Sequence, residues 1–418
     1  MILSDTQSPR QGLYIHIPFC RSRCLYCDFY STQNQFAHED AYVDSLLGEM
    51  RQRHSELPER DIDTIYIGGG TPSTLSPQNL ARLVRGVRQY WELGSNTAPS
   101  LPHSPINILS PEITVEANPD DITPTLATAL TDMGVNRVSM GAQSFHDKTL
   151  RFLHRRHTAA QVEEAITHLR RAGIHNISID LIYGLPFQTM ADWEDDLRHA
   201  FALPVTHISA YALTYEPGTP LSRLKEQGRI RETDDDTEWR MYQALMEAAD
   251  AHGFQHYEIS NFALPSYHSR HNSGYWHGMR YMGLGPAAHS YNGNTRRWNK
   301  PLLARYIQSR GLTGITPLPS APAPPDADTL LYDCEHLTPQ QKQEEMLLTA
   351  LRTARGLTLE TYAAAFGQEN ERSLLLRAQP YIDNGDLLVE RAPASTRIHL
   401  SRKALFRSDG IIAALFAD

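Results

Sequence analysis

The chain has 418 residues, of which 41% are hydrophobic and 21% charged, with a formal net charge of -9 and four cysteines. That length predicts more than one domain, and the apolar content is enough for ordinary cores. So few cysteines exclude a disulfide scaffold, the acidity argues against a general nucleic-acid binder, and no apolar run approaches the ~20 residues that span a bilayer.

Period-two or continuous β-rich runs occupy 13–17, 63–67, 113–116, 137–140, 177–182 and 207–213, and each has the length of a strand. Helical patterns lie between them. Val43, Leu46, Leu47 and Met50 follow i, i+3, i+4, i+7 spacing, as do Leu80, Leu83, Val84 and Val87. Val162, Ile166 and Leu169 repeat the theme before Gly173, which reads as a helix C-cap. Strands alternating with helices predict an α/β fold whose parallel sheet curves toward a barrel; a flat doubly wound sheet gives the same pattern. Residues 94–111, GSNTAPSLPHSPINILSP, read as an exposed insertion before the third strand. Residues 313–328, TGITPLPSAPAPPDAD, read as a stiff proline-rich linker or surface loop. A helical region over 341–356, the segment LTLETYAAAF and a β-turn-β over 386–400 follow. The expected division is a barrel over 1–225, an extension over 226–312, the linker 313–328, and a smaller module over 329–418.

The strongest chemical signal sits directly after the first strand. Cys20, Cys24 and Cys27 stand in HIPFCRSRCLYCDFYS, spaced C-x3-C-x2-C. Three thiolates on one short loop can hold three irons of a 4Fe-4S cluster and leave the fourth open to a small molecule. Buried thiols, a zinc site or half of a disulfide framework are the competing readings. Structural zinc takes four protein ligands and no second cysteine pair follows, which favours the cluster.

In a parallel barrel the loops at the C-terminal strand ends build the site. Gly68, Gly69 and Gly70 follow the second strand, either as a tight turn or as backbone that a ligand approaches closely. Glu116, Gln143 and Asp180 lie within or just after apolar strands. A carboxylate or amide there is costly unless it is paired, so each is a satisfied core group or part of a site. Three of them at successive strands favour a site.

The segments HIPFC, CDFYS, GGGTPS, VEANP, GAQSF, DLIYGLPFQT, YEISNFA, SRHNSGYW and DGII, in that order from about Gly12 to the C-terminus, resemble the radical S-adenosylmethionine (SAM) superfamily. Within it they resemble the branch of the oxygen-independent coproporphyrinogen III oxidases and the HemW heme chaperones. The resemblance implies a partial, six-unit TIM-like barrel and a winged-helix-like C-terminal module. It implies a 4Fe-4S cluster on Cys20, Cys24 and Cys27, with the amine and carboxylate of SAM on the open iron. By motif position, Tyr14, Tyr26, Gly69, Gly70, Thr71, Glu116, Gln143, Arg155 and Asp180 resemble the family's SAM-contacting residues. The planar fork of Arg155 suits a carboxylate.

Two departures separate this chain from the oxidase pattern, which has a further cysteine two places after the third and a sizeable N-terminal extension. Phe29 stands at the cysteine's place, and Cys20 lies close to the start. Both features match the HemW branch. The SRHNSGYW segment resembles that branch's heme-associated HNxxYW motif, which makes His271 the expected heme ligand, with His289 following in GLGPAAHSY. Imidazole is a common axial iron ligand, while Tyr275, Trp276 and Arg270 suit a porphyrin's face and propionates. Ala287 replaces a glycine frequent in that branch and crowds its turn.

The function implied is a heme chaperone that binds heme and delivers it to acceptor hemoproteins such as respiratory enzymes. It would need an electron donor and would contact membrane complexes only peripherally, with no nucleic acid as partner. The alternative is oxygen-independent coproporphyrinogen III dehydrogenation, in which SAM chemistry abstracts hydrogen from a propionate side chain. A heme- or iron-responsive regulator is a third class. An opening segment without a signal-peptide core, together with an oxygen-sensitive cluster, leads to an expected cytoplasmic location.

Overall fold

The computed structural model describes residues 10–93, 110–309, 331–393 and 395–417. Its first half alternates β1 (Gln11–Ile17), α1 (Glu39–Arg53), β2 (Thr64–Gly69), α2 (Pro77–Tyr90), β3 (Glu112–Ala117) and α3 (Pro124–Met133). There follow β4 (Arg137–Gln143), α4 (Ala159–Arg171), β5 (Asn176–Tyr183), α5 (Met190–Ala202) and β6 (His207–Ala212). The six strands pair side by side in chain order, all parallel, and β1 is not joined to β6. The result is an open arc of βα units, the partial barrel expected from the alternation.

The two faces of the arc follow the period of the strands. Leu13, Ile15 and Ile17, then Ile65 and Ile67, Ile113 and Val115, Val138 and Met140, Ile177 and Ile179, and Ile208 all join one buried cluster with side chains of α1 to α5. Burying each such side chain contributes about 1.5–3 kcal/mol. The alternate positions are Tyr14 and His16, Tyr66 and Gly68, Thr114 and Glu116, Arg137 and Ser139, Ser178 and Asp180, and His207 and Ser209. Successive strand residues point to opposite faces, so these positions line the inner face of the arc and make its lumen polar.

Short polar side chains set the helix starts. Ser76 accepts from the Asn79 amide at 3.3 Å ahead of Pro77, and Thr123 accepts from the Leu126 amide at 3.2 Å ahead of Pro124. Thr158 with Gln161 and Thr189 with Asp192 form capping boxes at α4 and α5. Gly173 takes a left-handed φ of 97° just past α4, as a C-cap glycine should.

The sheet extends at both edges in ways the sequence reading did not include. After α6 (Asp235–Ala251), β7 (Gln255–Glu258) and β8 (Asn261–Ala263) add antiparallel to β6. A short helix, α7 (Arg270–Trp276), then precedes β9 (Arg280–Leu284), which pairs parallel with the free edge of β1. β10 (His289–Tyr291), β11 (Thr295–Asn299) and β12 (Tyr332–His336) continue antiparallel and complete a 12-stranded sheet. Ala287, in the turn before β10, sits at a φ of 62°, the left-handed conformation that glycine adopts without strain.

The C-terminal module runs α8 (Pro339–Leu351), β13 (Leu357–Thr358), α9 (Leu359–Phe366), α10 (Gln368–Asp383), β14 (Leu387–Ala392), β15 (Ser395–Leu400) and α11 (Ser408–Ala414). Leu347, Leu351, Tyr362, Leu374, Ile398 and Ile412 form its own buried cluster. The expected hairpin is there, and β13 adds a third strand to it. Of the two proline-rich stretches, 313–328 and all but Ser110 and Pro111 of 94–111 lie outside the described residues. No helix among the described residues is long and apolar enough to cross a membrane.

Candidate functional site

The cysteine loop leaves the C-terminal end of β1 and is pinned at both ends. The Cys20 amide donates to Thr32 O at 3.0 Å, and the Thr32 amide to Pro18 O at 2.6 Å. Phe19 is fully buried against Tyr42, with ring centroids 5.3 Å apart. Further along, the Leu25 amide donates to Leu153 O at 3.2 Å, and the Leu221 amide to Leu25 O at 3.0 Å. Cys20 is buried, Cys24 and Cys27 are half-buried, and all are free thiols. Burial and the neighbouring Cys24 and Cys20 push the Cys27 thiol up to about 11. That mutual penalty is one a cationic cluster would relieve. Among the described residues no three His, Cys, Asp or Glu side chains converge as ligands of a single ion. A 4Fe-4S cluster binds each thiolate through a different iron and needs them spread apart, so the donor set fits it.

The glycine run follows β2 beside this loop. The Gly70 amide donates to Ile17 O at 2.8 Å. Gly69 has a φ of 115°, and a Cβ there would lie 2.6 Å from the His16 ring. At Gly68 a Cβ would come within 3.0 Å of the Glu116 carboxyl. Contact requires glycine at both positions, and at Gly69 the conformation requires it as well. Thr71 Oγ1 stands 3.3 Å from the Cys20 sulfur.

Glu116 lies on the inner face of β3. It accepts from the Tyr66 hydroxyl at 2.7 Å and from the Gly69 amide at 3.0 Å. Burial raises its carboxyl to about 7 against these two hydrogen bonds. Tyr14 is next to it across the lumen, its ring 6.2 Å from that of Tyr66. His16 Nε2 lies 2.9 Å from Tyr30 O, an acceptor only, so this nitrogen carries the proton and Nδ1 accepts from the Tyr14 hydroxyl at 3.0 Å. Burial lowers His16 to about 4, which keeps the ring neutral.

Arg155 ties the far side of the site together. Nη1 donates to the Cys24 sulfur at 3.3 Å, and Nη2 to Asn118 Oδ1 and Gly141 O at 2.6 Å each. Its Nε is buried with no partner among the described residues. A buried guanidinium with unmet donor capacity suits a carboxylate, the group SAM would bring. Gln143 has a φ of 67° at a register shift of β4, and its amide packs near Arg155 over the bare Cα of Gly141. The hydroxyl of Tyr26, a half-buried residue, meets the Cys24 sulfur. Asp180, raised by burial, accepts from Ser139 Oγ at 3.3 Å. The residues expected to hold the cluster and SAM therefore meet at one end of the arc. Tyr66, His16 and Asn118 belong to the same network and were not singled out from sequence; their inner-face period was the available signal.

His271, the expected heme ligand, lies elsewhere. It is fully buried at the N-terminal end of the arc, with Nδ1 2.8 Å from Thr64 Oγ1 and Nε2 2.8 Å from the Tyr275 hydroxyl. Both ring nitrogens are engaged by hydroxyl groups in this structure. The Glu112 carboxylate accepts from the Arg270 and His271 amides at 3.0 Å each and fixes the start of α7. A Cβ on Gly12 would come 3.2 Å from His271 Nδ1, so the glycine makes the space for this ring. The segment stands outside the six strands, as expected, but it acts as a plug.

The Radical SAM superfamily model matches residues 14–200 of this chain. The heme chaperone HemW of Bacillus subtilis is 36% identical over 358 residues, covering 86% of this chain and 87% of that protein. The heme chaperone HemW of Lactococcus lactis is 32% identical over 412 residues, 99% and 98% of the two chains, and that of Escherichia coli is 35% identical over 283 residues, 67% and 70%. Among solved structures, coproporphyrinogen III oxidase (HemN) from Escherichia coli, a radical SAM enzyme, superposes with a TM-score of 0.77 at 20% identity, covering 98% of this chain and 91% of that one.

Proposed function

Because this chain belongs to the HemW family of the radical SAM superfamily, we propose that it binds heme and passes it to acceptor hemoproteins. The observation that carries this reading is identity of 32–36% with heme chaperones over nearly the whole chain, against 20% for the oxidase of the same fold. Cys20, Cys24 and Cys27 would hold a 4Fe-4S cluster, which supplies one-electron chemistry to bound SAM. Tyr14, Tyr26, Gly69, Gly70, Thr71, Glu116, Gln143, Arg155 and Asp180 would place SAM, with the spare Nε of Arg155 aimed at its carboxylate. The electron donor would approach the cysteine loop, whose Cys24 and Cys27 are half-buried. Respiratory enzymes are the proposed acceptors and the cytoplasm the proposed location, in keeping with free thiols. We divide the chain as 1–225, 226–312, 313–328 and 329–418, the last piece as the winged-helix-like module.

The test is anaerobic cluster reconstitution, heme titration, and transfer to an apo-hemoprotein followed by absorbance. Stoichiometric uptake and hand-over is the expected result. Conversion of coproporphyrinogen III to protoporphyrinogen with SAM and a reductant would instead make the chain an oxidase and end this reading.

A further inference from the structure

Six aromatic rings run in one line through the lumen of the arc to its surface. Tyr14 on β1 lies 6.2 Å from Tyr66 on β2, and Tyr66 lies 5.2 Å from His271 on α7, with interplanar angles of 25° and 29°. From His271 the ring centroids step 4.9 Å to Tyr275, 4.7 Å to Tyr281 on β9 and 6.2 Å to Tyr291 on β10. Tyr281 and Tyr291 are half-buried and line a crevice at the surface. At the other end Tyr14 reaches the cysteine loop through His16, whose ring stacks 6.1 Å from that of Tyr30. Apolar packing accounts for such rings, but it places no demand on their hydroxyls.

The hydroxyls of Tyr14, Tyr66 and Tyr275 each face a base. Tyr14 donates to His16 Nδ1 at 3.0 Å, Tyr66 to the Glu116 carboxylate at 2.7 Å, and Tyr275 to His271 Nε2 at 2.8 Å. The last direction holds with the His271 proton on Nδ1, donated to Thr64 Oγ1, while the Thr64 hydroxyl turns to the Met279 sulfur at 3.8 Å. A phenol that loses an electron becomes a strong acid, so its oxidation is eased by a proton acceptor at hydrogen-bond distance. Imidazole remains a far stronger base than an oxidised phenol even where burial lowers it, as at His16 and His271. At Tyr66 the proton passes to a carboxylate, which leaves a neutral ring radical beside a neutral acid and no new positive charge in the lumen. At His271 such a charge would form, and Arg137 opposes it. Tyr66 is therefore the favoured seat of an oxidising equivalent on this line.

We propose that this line is a redox-active tyrosine path that carries an oxidising equivalent from beside the cysteine loop toward the surface and rests it on Tyr66. The oxidant is by class an oxygen-centred radical such as hydroxyl, which takes one electron and leaves as hydroxide. Tyr14 supplies that electron while its proton moves to His16. Tyr66 then refills Tyr14, its own proton moving to Glu116 as His16 returns the first. Tyr275 refills Tyr66 in the same way through His271. A soluble thiol at Tyr281 and Tyr291 supplies the last electron, becomes a thiyl radical and releases its proton to water, so no tyrosine is consumed. The test uses the full-length, cluster-reconstituted chain at pH 8, where Glu116 is ionised. It is photo-oxidised anaerobically with a ruthenium(II) polypyridyl complex and a cobalt(III) acceptor, frozen after a delay in which exposed tyrosyl radicals are lost, and read by electron paramagnetic resonance. A persistent tyrosyl signal is expected, narrowed when the protein carries ring-deuterated tyrosine. Tyr66→Phe should remove it, and Glu116→Gln, which keeps a hydrogen-bond partner but takes no proton, should remove it as well. Tyr275→Phe should lower it by breaking the line to the surface. Tyr211→Phe, a 44% exposed ring outside the line, is the control and should leave it unchanged. Iron and sulfide content is measured on each variant to show that it is folded and loaded. A wild-type chain with no persistent signal, or a wild-type signal in Tyr66→Phe or Glu116→Gln, would overturn the path. The path needs neither heme nor SAM, so its failure leaves the heme-chaperone reading intact.

Discussion

Arg155 donates to the sulfur of Cys24 across 3.3 Å, joining the loop after β4 to the cysteine loop after β1. The same guanidinium holds Asn118 Oδ1 and Gly141 O, so the loops after three strands are fixed by one planar group. It also keeps the Cys24 side of the site in register with the glycine run that Thr71 joins to Cys20.

The first prediction concerns Cys24. No other cysteine lies within reach of its position, since Cys334 is on β12 at an edge of the sheet. Cys24→Ala should therefore lose the 4Fe-4S cluster. Iron and sulfide analysis with electron paramagnetic resonance after anaerobic reconstitution measures it, and an unchanged cluster signal would remove the central assignment.

Glu116 supplies a pH dependence. Burial places its folded carboxyl at about 7, against an ordinary value of 4.5. Between those values the folded chain binds more protons than the unfolded chain, so its stabilising share is complete below pH 4.5 and is lost as pH rises through 7. The full swing is about 3 kcal/mol. Denaturant unfolding of the cluster-free chain at intervals from pH 4.5 to 8 should show wild type losing stability relative to Glu116→Gln. Parallel curves would mean that Glu116 ionises as an ordinary carboxylate.

Much of this architecture was legible because the outer face of each arc strand alternates strictly: Leu13, Ile15 and Ile17 are separated by Tyr14 and His16, and the pattern recurs down to Ile177 and Ile179 around Ser178. The site was legible through cysteine spacing and through costly polar residues at strand ends. β9, β11 and β12 were not, because RYMGL, TRRWN and YDCEH are five residues each, broken by charged residues or glycine, and owe their strand form to the neighbouring edge. His271 could not be placed from sequence at all. A histidine beside Tyr275 reads equally as a ligand or as a packed group, and its bonds to Thr64 and Tyr275 could not be foreseen from spacing. The lumen's buried Arg137, with Nε and Nη1 lacking partners among the described residues, carried no motif either.

Gly69 tests whether the turn after β2 is conformational or merely small. Its φ of 115° and the His16 ring 2.6 Å from a built Cβ act together, so Gly69→Ala should cost about 1–3 kcal/mol. SAM affinity, by calorimetry on reconstituted protein, should fall at least about tenfold as the backbone withdraws. Gly173→Ala is the control: its φ of 97° is also left-handed but nothing lies near its Cβ, so it should cost about 1 kcal/mol and leave SAM binding alone. Equal SAM affinity in both variants would dissociate the glycine run from the ligand.

The final prediction separates packing from ligation at His271. Replacing it by alanine removes a fully buried ring stacked 5.2 Å from Tyr66 and strips partners from the Thr64 and Tyr275 hydroxyls. The cavity and two unsatisfied hydroxyls together should cost about 3 kcal/mol. Burial lowers the ring from the usual 6.5 to about 3, so it stays neutral in the folded chain while the unfolded chain takes up a proton below about 6.5; the loss should be full at pH 8 and shrink as pH falls toward 5. Hemin affinity and the Soret maximum should be those of wild type at temperatures where the variant remains folded. A stable variant with an altered Soret band would reverse this, making His271 an iron ligand exposed by opening of α7 and returning the heme to the N-terminal end of the arc.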